Sequence, residues 1–277
     1  MDIITLSSKL ASLDAHEVAV VYLGGAGFLI SYAGTTILVD AYLSDSVDRA
    51  IGGEAWTRLY PPPFSPEELS FADAACVSHD HLDHADPDMI APLAEARGEL
   101  AFVCGRAIES AVRAYGASNV SALADGETRE IGAISVTAIP AAHETVVRDG
   151  RGDPEASGFI FDCGGVRVYH SGDSLVYDGL PEKVDGVDVM LLPVNGNGFF
   201  RRADNIVGNM DAYDAARLAS LCGARLLVPM HFDLYRGNYV PAEAVSAIIR
   251  AAAPSLRFDL PVPGEGWRIS ADAITEL

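Results

Sequence analysis

Apolar residues fall in short blocks separated by glycine, proline and aspartate, the pattern of buried strands bounded by turns. The blocks predict strands at Val18–Tyr22, Gly27–Tyr32, Thr36–Val39, Ala74–Ser78, Ala101–Cys104, Ile134–Ile139, Gly158–Asp162, Val166–Ser171, Val187–Leu192, Arg225–Pro229 and Trp267–Ser270. The uncharged stretch Val18–Val39 is long enough to cross a bilayer on count alone. Gly24, Gly25, Gly27 and Gly34 break it, and its apolar parts are rich in β-branched and aromatic residues, which predicts strands joined by turns instead.

Helix starts are marked by caps. Ser65-Pro66-Glu67-Glu68 places a capping serine before proline at the first helical position, with glutamate three residues on. Asp86-Pro87 opens a helix toward Ala96, Arg106–Tyr115 is amphipathic, Asp211 opens a helix to Leu221, and Pro241 begins one to Ala252. Val39–Phe64, with Trp56, Tyr60 and Pro61-Pro62-Pro63, reads as an irregular excursion, a surface loop or a lid over a pocket. Strands followed by helices in each half predict an α/β fold, a four-layer αββα sandwich of two mixed β-sheets with outer helices. No repeat or linker divides the chain, so residues 1–277 are expected to form a single domain. The hairpin-like runs at Val18–Val39 and Ser157–Ser171 argue against a doubly wound parallel sheet.

Composition narrows the function classes. In 277 residues there are 19 Lys+Arg against 39 Asp+Glu, a formal net charge of -20, and no basic run. Such a chain repels phosphate backbones and anionic lipid at long range, so neither nucleic acid nor a membrane surface is expected as a partner. Cys76, Cys104, Cys163 and Cys222 lie far apart without a CxxC pair and are expected as buried, reduced thiols. The N-terminus lacks the basic-then-apolar layout of a signal peptide, and a cytoplasmic location is expected.

The chemistry concentrates at Ser78-His79-Asp80-His81-Leu82-Asp83-His84, directly after an apolar strand and before the Asp86-capped helix. A lone histidine is usually a satisfied core residue. Three histidines with aspartate at this spacing point to metal, His79 and His81 to one side of the loop and Asp83 and His84 toward a second centre.

This HxHxDH pattern resembles the metallo-β-lactamase superfamily, and the remaining motifs of that fold follow in order. They are His143 after Ile139-Pro140, Asp173 in Tyr169-His170-Ser171-Gly172-Asp173-Ser174, His231 in Pro229-Met230-His231-Phe232-Asp233, and Asp40 after Ile37-Leu38-Val39. The resemblance implies that His79, His81 and His143 hold one divalent ion, that Asp83, His84 and His231 hold another, and that Asp173 bridges them. It gives Asp40 the role of bracing the ligand loop by hydrogen bonds. Imidazole and carboxylate donors without thiolate admit Zn2+, Mn2+ or Fe2+. Two such ions acidify a shared water for attack on an acyl or phosphoryl centre, and Asp83 is placed to orient it as the catalytic carboxylate. His170 is expected to be a buried partner beside the Asp173 turn, and His16 to lie on the surface.

Within the superfamily, histidine at position 81 disfavours the redox members, which resemble HxExDH. Val21–Gly27, the Asp173 turn and Asp188–Met210 look like the L-ascorbate-6-phosphate lactonase branch. That likeness implies manganese, a phosphorylated or acidic sugar lactone as the small anionic substrate, and a homo-oligomer. Phe232 stands where that lactonase carries a second histidine. Arg201 and Arg202, after the Gly-rich turn at Asn195-Gly196-Asn197-Gly198, are candidate substrate contacts together with Asn195, since an arginine fork suits phosphate or carboxylate. Arg148 and Arg151 are weaker candidates of the same kind. Two other readings share the motifs: a small-molecule or cyclic-nucleotide phosphodiesterase on the same metals, and a non-catalytic metal-binding scaffold.

Overall fold

The computed structural model describes residues 1–203 and 206–277. The chain begins with helix α1 (Ile3–Ala11) and the antiparallel strands β1 (Val18–Gly24), β2 (Gly27–Tyr32) and β3 (Thr35–Val39). After the short helix α2 (Ser46–Ile51), strand β4 (Ala74–Val77), helix α3 (Pro87–Ala96), strand β5 (Ala101–Gly105), helix α4 (Glu109–Ala114) and strand β6 (Val120–Leu123) extend this sheet in parallel. The second sheet is built from β7 (Thr128–Ile131), β8 (Ile134–Pro140), β9 (Ser157–Cys163), β10 (Val166–His170), β11 (Val189–Pro193) and β12 (Leu226–Met230). Helices α5 (Leu180–Lys183), α6 (Phe199–Ala203), α7 (Ala212–Leu221) and α8 (Ala242–Ala252) accompany it. The chain then returns to the first sheet through β13 (Gly266–Ile269) and β14 (Ile274–Glu276), giving the orders β14-β13-β1-β2-β3-β4-β5-β6 and β12-β11-β10-β9-β8-β7.

The layers follow from strand alternation. Val18, Val20, Phe28, Ile30, Ile37 and Val39 from the first sheet meet Val136, Phe159, Phe161, Val168, Leu191 and Val228 from the second in one core. The alternate residues face outward under helices. Val21, Leu29, Leu38, Val77 and Phe102 pack on Leu6 of α1, Met89 and Leu93 of α3, and Val112 of α4. Tyr169, Met190, Leu192 and Leu227 pack on α7 and α8. The result is the αββα sandwich, both sheets mixed.

Three helices start where the sequence predicts: Asp86 caps one by accepting from the Asp88 amide, Asp211 another by accepting from Tyr213 and Asp214, and α8 follows Pro241 without a side-chain cap. Arg106–Tyr115 divides into a 3-10 turn and α4. At Ser65 the outcome differs. The reciprocal capping bonds form, Ser65 N to Glu68 Oε2 at 2.8 Å and Glu68 N to Ser65 Oγ at 3.3 Å, but only turns follow before the chain enters β4. A cap stabilises a helix that tertiary packing sustains, and here only Leu69 and Ala72 are buried before the chain must turn. Val18–Val39 is hairpin strand, and among the described residues no helix is long and apolar enough to cross a membrane. All four cysteines are free and buried.

Candidate metal centre

Five loops converge at one edge of the sandwich, each leaving the C-terminal end of a strand. β3 delivers Asp40, β4 delivers Ser78 to His84, β8 delivers His143, β10 delivers Asp173, and β12 delivers His231. Asp40 and His231 sit at φ 44° and 61°, left-handed positions uncommon for residues with a Cβ. The Asp173 turn needs glycine at 172, where φ is 58° and a Cβ would lie 2.8 Å from the Ser157 carbonyl oxygen and from Ser78 Cβ.

Asp40 organises the site from beneath and is fully buried. Its Oδ1 accepts from the Ser78 amide at 2.8 Å, and its Oδ2 accepts from Ser78 Oγ at 2.6 Å and from His84 Nδ1 at 2.7 Å. Because Ser78 donates to Asp40, its oxygen is free to accept from His79 Nδ1, 2.9 Å away. Both rings thereby carry their proton on Nδ1 and turn an unprotonated Nε2 to the centre, the tautomer a metal requires. His79 Nε2 is buried with no hydrogen-bond partner, as is Asp173 Oδ1. Burial alone would raise the Asp40 carboxyl, but the His84 ring, His170 and the Ser78 hydroxyl bring it down to about 2.

His170 is the buried partner expected. Its Nε2 donates to the Ala26 carbonyl at 2.7 Å, and its Nδ1 accepts from the Gly172 amide at 3.1 Å, pinning the turn that carries Asp173. The Gly24-Gly25-Ala26-Gly27 turn is thus an acceptor shelf under the site, since the Gly25 carbonyl accepts from the His231 amide at 2.9 Å.

Above this support the donors cluster. His81 Nδ1 and His143 Nε2 stand 3.2 Å apart, with His79 completing a group of three. His84 Nε2 and His231 Nε2 stand 3.3 Å apart, and His231 Nε2 is 3.3 Å from Asp83 Oδ2. Asp173 Oδ1 lies 3.4 Å from His84 Nε2 and 3.6 Å from His231 Nε2, and also groups with His79 and His84. Donors about 2.0–2.1 Å from a common ion at tetrahedral angles stand about 3.3 Å from one another, so these spacings fit two adjacent cations better than a hydrogen-bonded network.

Charge is arranged to match. Burial opposes ionisation of Asp83 and Asp173, yet the surrounding histidines hold both carboxyls well below the usual range. Burial lowers His79 and His143, which keeps them neutral. Burial would lower His84 and His231 as well, but Asp173 raises both, with Asp40 and Asp83 adding at His84 and Asp83 at His231.

The profile of the Beta-lactamase superfamily domain matches residues 35–232, which contain every one of these donors. The chain belongs to that family. A UPF0173 metal-dependent hydrolase from Rubrobacter xylanophilus is 32% identical over 78% of this chain and 82% of its own length. Another, from Archaeoglobus fulgidus, is 26% identical over 91% of this chain and 99% of its own. The crystal structure of a possible metal-dependent hydrolase from Veillonella parvula superposes with a TM-score of 0.72 at 19% identity, covering 93% of this chain and all of the other. This chain is therefore a metal-dependent hydrolase of the metallo-β-lactamase fold. The lactonase branch is not carried by these likenesses.

The hydrolase site opens into a cavity of about 380 Å³ whose floor is His81, Asp83, His143, Asp173 and His231. Asn195 lines it, with Oδ1 buried and unpartnered. Arg201 and Arg202 do not line it. Arg201 donates to Asn238 Oδ1 at 2.7 Å, and Arg202 to the Asn197 carbonyl at 2.7 Å. Arg148 and Arg151 are taken up by Asp125, Asp149 and backbone carbonyls. Val39–Phe64 proves more than a surface loop, because Val47, Ile51 and Trp56 form one wall of the cavity.

Asn238 carries no signal in the sequence. Its Nδ2 lies 2.9 Å from His231 Nδ1, while its Oδ1 accepts from both Arg201 and Asn195 Nδ2, the latter at 2.7 Å. It sits in a short 3-10 turn with no cap or repeat to mark it. Tyr60, in the sequence only an aromatic of the excursion, has a defined place. It donates to Asp233 Oδ1 at 2.9 Å and accepts from the Gly25 amide at 3.2 Å, tying the excursion to the His231 loop.

Proposed function

We propose that this metal-dependent hydrolase cleaves a carboxylic ester, lactones included, on two divalent cations. His79, His81 and His143 would hold one, Asp83, His84 and His231 the other, with Asp173 shared between them. The observation that carries the reading is the pair of donor sets meeting at Asp173 on the floor of a single cavity. When bound, such cations polarise the scissile carbonyl and bring a hydrolytic water to reactivity near neutral pH.

The chain's own groups do the rest. Asp83, ionised and lining the cavity, can accept a hydrogen bond from that water and orient it as its oxygen bonds to the carbonyl carbon and its proton is released. When the carbon–oxygen bond to the alcohol breaks, that proton passes to the leaving oxygen, so acid and alcohol form without a further reactant. Asp40 and Ser78 keep His79 and His84 in one tautomer throughout, which avoids reorganisation during turnover.

Among the described residues no Lys or Arg lines the cavity, so the cations themselves would be what meets a substrate's polar group, and an ester carbonyl and a phosphodiester are told apart by assay. To test this, protein stripped by chelator and reloaded separately with Mn2+, Zn2+ or Fe2+ is assayed for acid release from neutral lactones and esters, beside bis-p-nitrophenyl phosphate. Metal-dependent acid release is expected. Phosphodiester cleavage with no ester or lactone turnover would overturn the reading in favour of the phosphodiesterase.

A further inference from the structure

The hydrolase reading leaves open what the rest of the substrate looks like, and the cavity wall bears on it. We infer that the non-reacting part of the substrate is a compact, uncharged apolar group seated against Val47, Ile51, Trp56, Leu82, Ile206 and Val207. These six residues converge from α2, the Trp56 turn, the ligand loop and the segment after α6, and they form the wall above the metal-donor floor.

Three observations meet here. Trp56 is fixed rather than loose, its ring 5.8 Å edge-on from the buried Tyr235, within a small cluster that includes Val47 and Leu82. Ile51 and Val207 are 61% and 36% exposed, apolar surface at a cavity left open by the described residues. Three guanidinium groups around the cavity are held by other partners. Arg58 donates to the Tyr42, Ser44 and Tyr60 carbonyls and stacks over the Tyr42 ring, and Arg201 and Arg202 are held by Asn238 and Asn197.

Among the described residues the only titratable side chains on the cavity lining are His81, His143, His231, Asp80, Asp83 and Asp173. A carboxylate or phosphate placed against the wall would be desolvated among apolar side chains, with no lysine or arginine of the described lining to pair it. A phosphorylated or acidic sugar, the substrate implied by the lactonase resemblance, therefore fits this wall poorly. At about 380 Å³ the cavity lies toward the small end of ligand sites, room within it for a short alkyl group or a single ring.

The inference rests on the hydrolase reading for which bond reacts, so the test separates the two. Metal-loaded protein is assayed with γ-lactones bearing linear alkyl side chains from methyl to hexyl, and with analogues of matched length ending in carboxylate. kcat/KM is expected to rise about two- to fourfold per methylene until the cavity is full, as transfer of a methylene from water implies. The carboxylate analogues are expected to fall at least tenfold below their neutral partners. Trp56→Ala is expected to flatten the chain-length dependence while metal content stays unchanged.

Independently of turnover, Trp56 fluorescence in the Trp267→Phe variant, which leaves Trp56 as the only tryptophan, is titrated with 1-alkanols from propanol to hexanol. Binding is expected to tighten about two- to fourfold per methylene. If alkanol binding follows chain length but no lactone or ester is cleaved, the ester reading fails and the apolar site stands. Alkanol binding indifferent to chain length, or carboxylate analogues preferred over neutral ones, would overturn the inference.

Discussion

Asp40 illustrates how one side chain sets the chemistry of two others without touching substrate. Its three accepted hydrogen bonds decide which nitrogen of His84, and through Ser78 which nitrogen of His79, is left for a cation. An amide at this position keeps the shape but presents an N–H where either Ser78 or His84 must donate. Asp40→Asn is therefore expected to weaken metal binding by about 10- to 100-fold while the chain remains folded. Calorimetric metal titration beside far-UV circular dichroism checks this, and unchanged affinity would mean that Asp40 does not set the two tautomers. The same scale shows where reading the sequence stops. Each donor lies within a local run of residues, and the runs could be found one by one. Asn238 could not, and Trp56 stood out only as an aromatic of the Val39–Phe64 excursion, because their importance comes from what the fold brings beside them: His231 and Arg201 for one, Tyr235 and the cavity for the other. Arg201 was legible as a candidate substrate contact, but its partner was not: it donates to Asn238, which lines the cavity while Arg201 does not.

At the scale of elements, the strand blocks were legible because burial on both faces leaves nearly continuous apolar runs, as in β1, β4 and β12. The strands that escaped notice are peripheral. β7, Thr128–Ile131, exposes three of its four residues at a sheet edge, and β14 is short and largely exposed. Helix α1 escaped because only Leu6 of its residues is buried. The Ser65 box shows the converse, a correct local signal with no apolar face to prolong it. The turn between β10 and Asp173 is the element on which the site depends most closely. Gly172→Ala would require a left-handed alanine whose Cβ lies 2.8 Å from backbone and from Ser78, whereas Gly179, also at positive φ, has open space around it. Gly179→Ala is expected to cost about 1 kcal/mol, the ordinary penalty of positive φ. Gly172→Ala is expected to cost more, about 3 kcal/mol, and to lose bound metal as well. Thermal unfolding and metal analysis of the two variants check this, and equal behaviour would mean that the turn is not under the constraint described.

For the molecule as a whole, a formal charge of -20 surrounds a site whose floor is built to hold cations and whose wall is apolar. The sequence made the acidity and the donor set plain, and with them an anionic substrate looked natural, because only a map of the cavity lining shows that no lysine or arginine among the described residues reaches it. The fold explains why chemistry collects where it does. Strand ends from both sheets meet at one edge, so loops far apart in sequence supply seven donors to one place. The central claim is that hydrolysis depends on two cations held by those donors. It is tested most directly by titrating metal into chelator-stripped protein while bound metal per chain and lactone hydrolysis are read in the same sample. Turnover is expected to be absent at the start, to appear as the chain fills, and to saturate at two ions per chain, with Asp173→Ala failing in both readings. Hydrolysis undiminished in the stripped protein, or a folded chain that binds no metal at saturating concentration, would contradict the account.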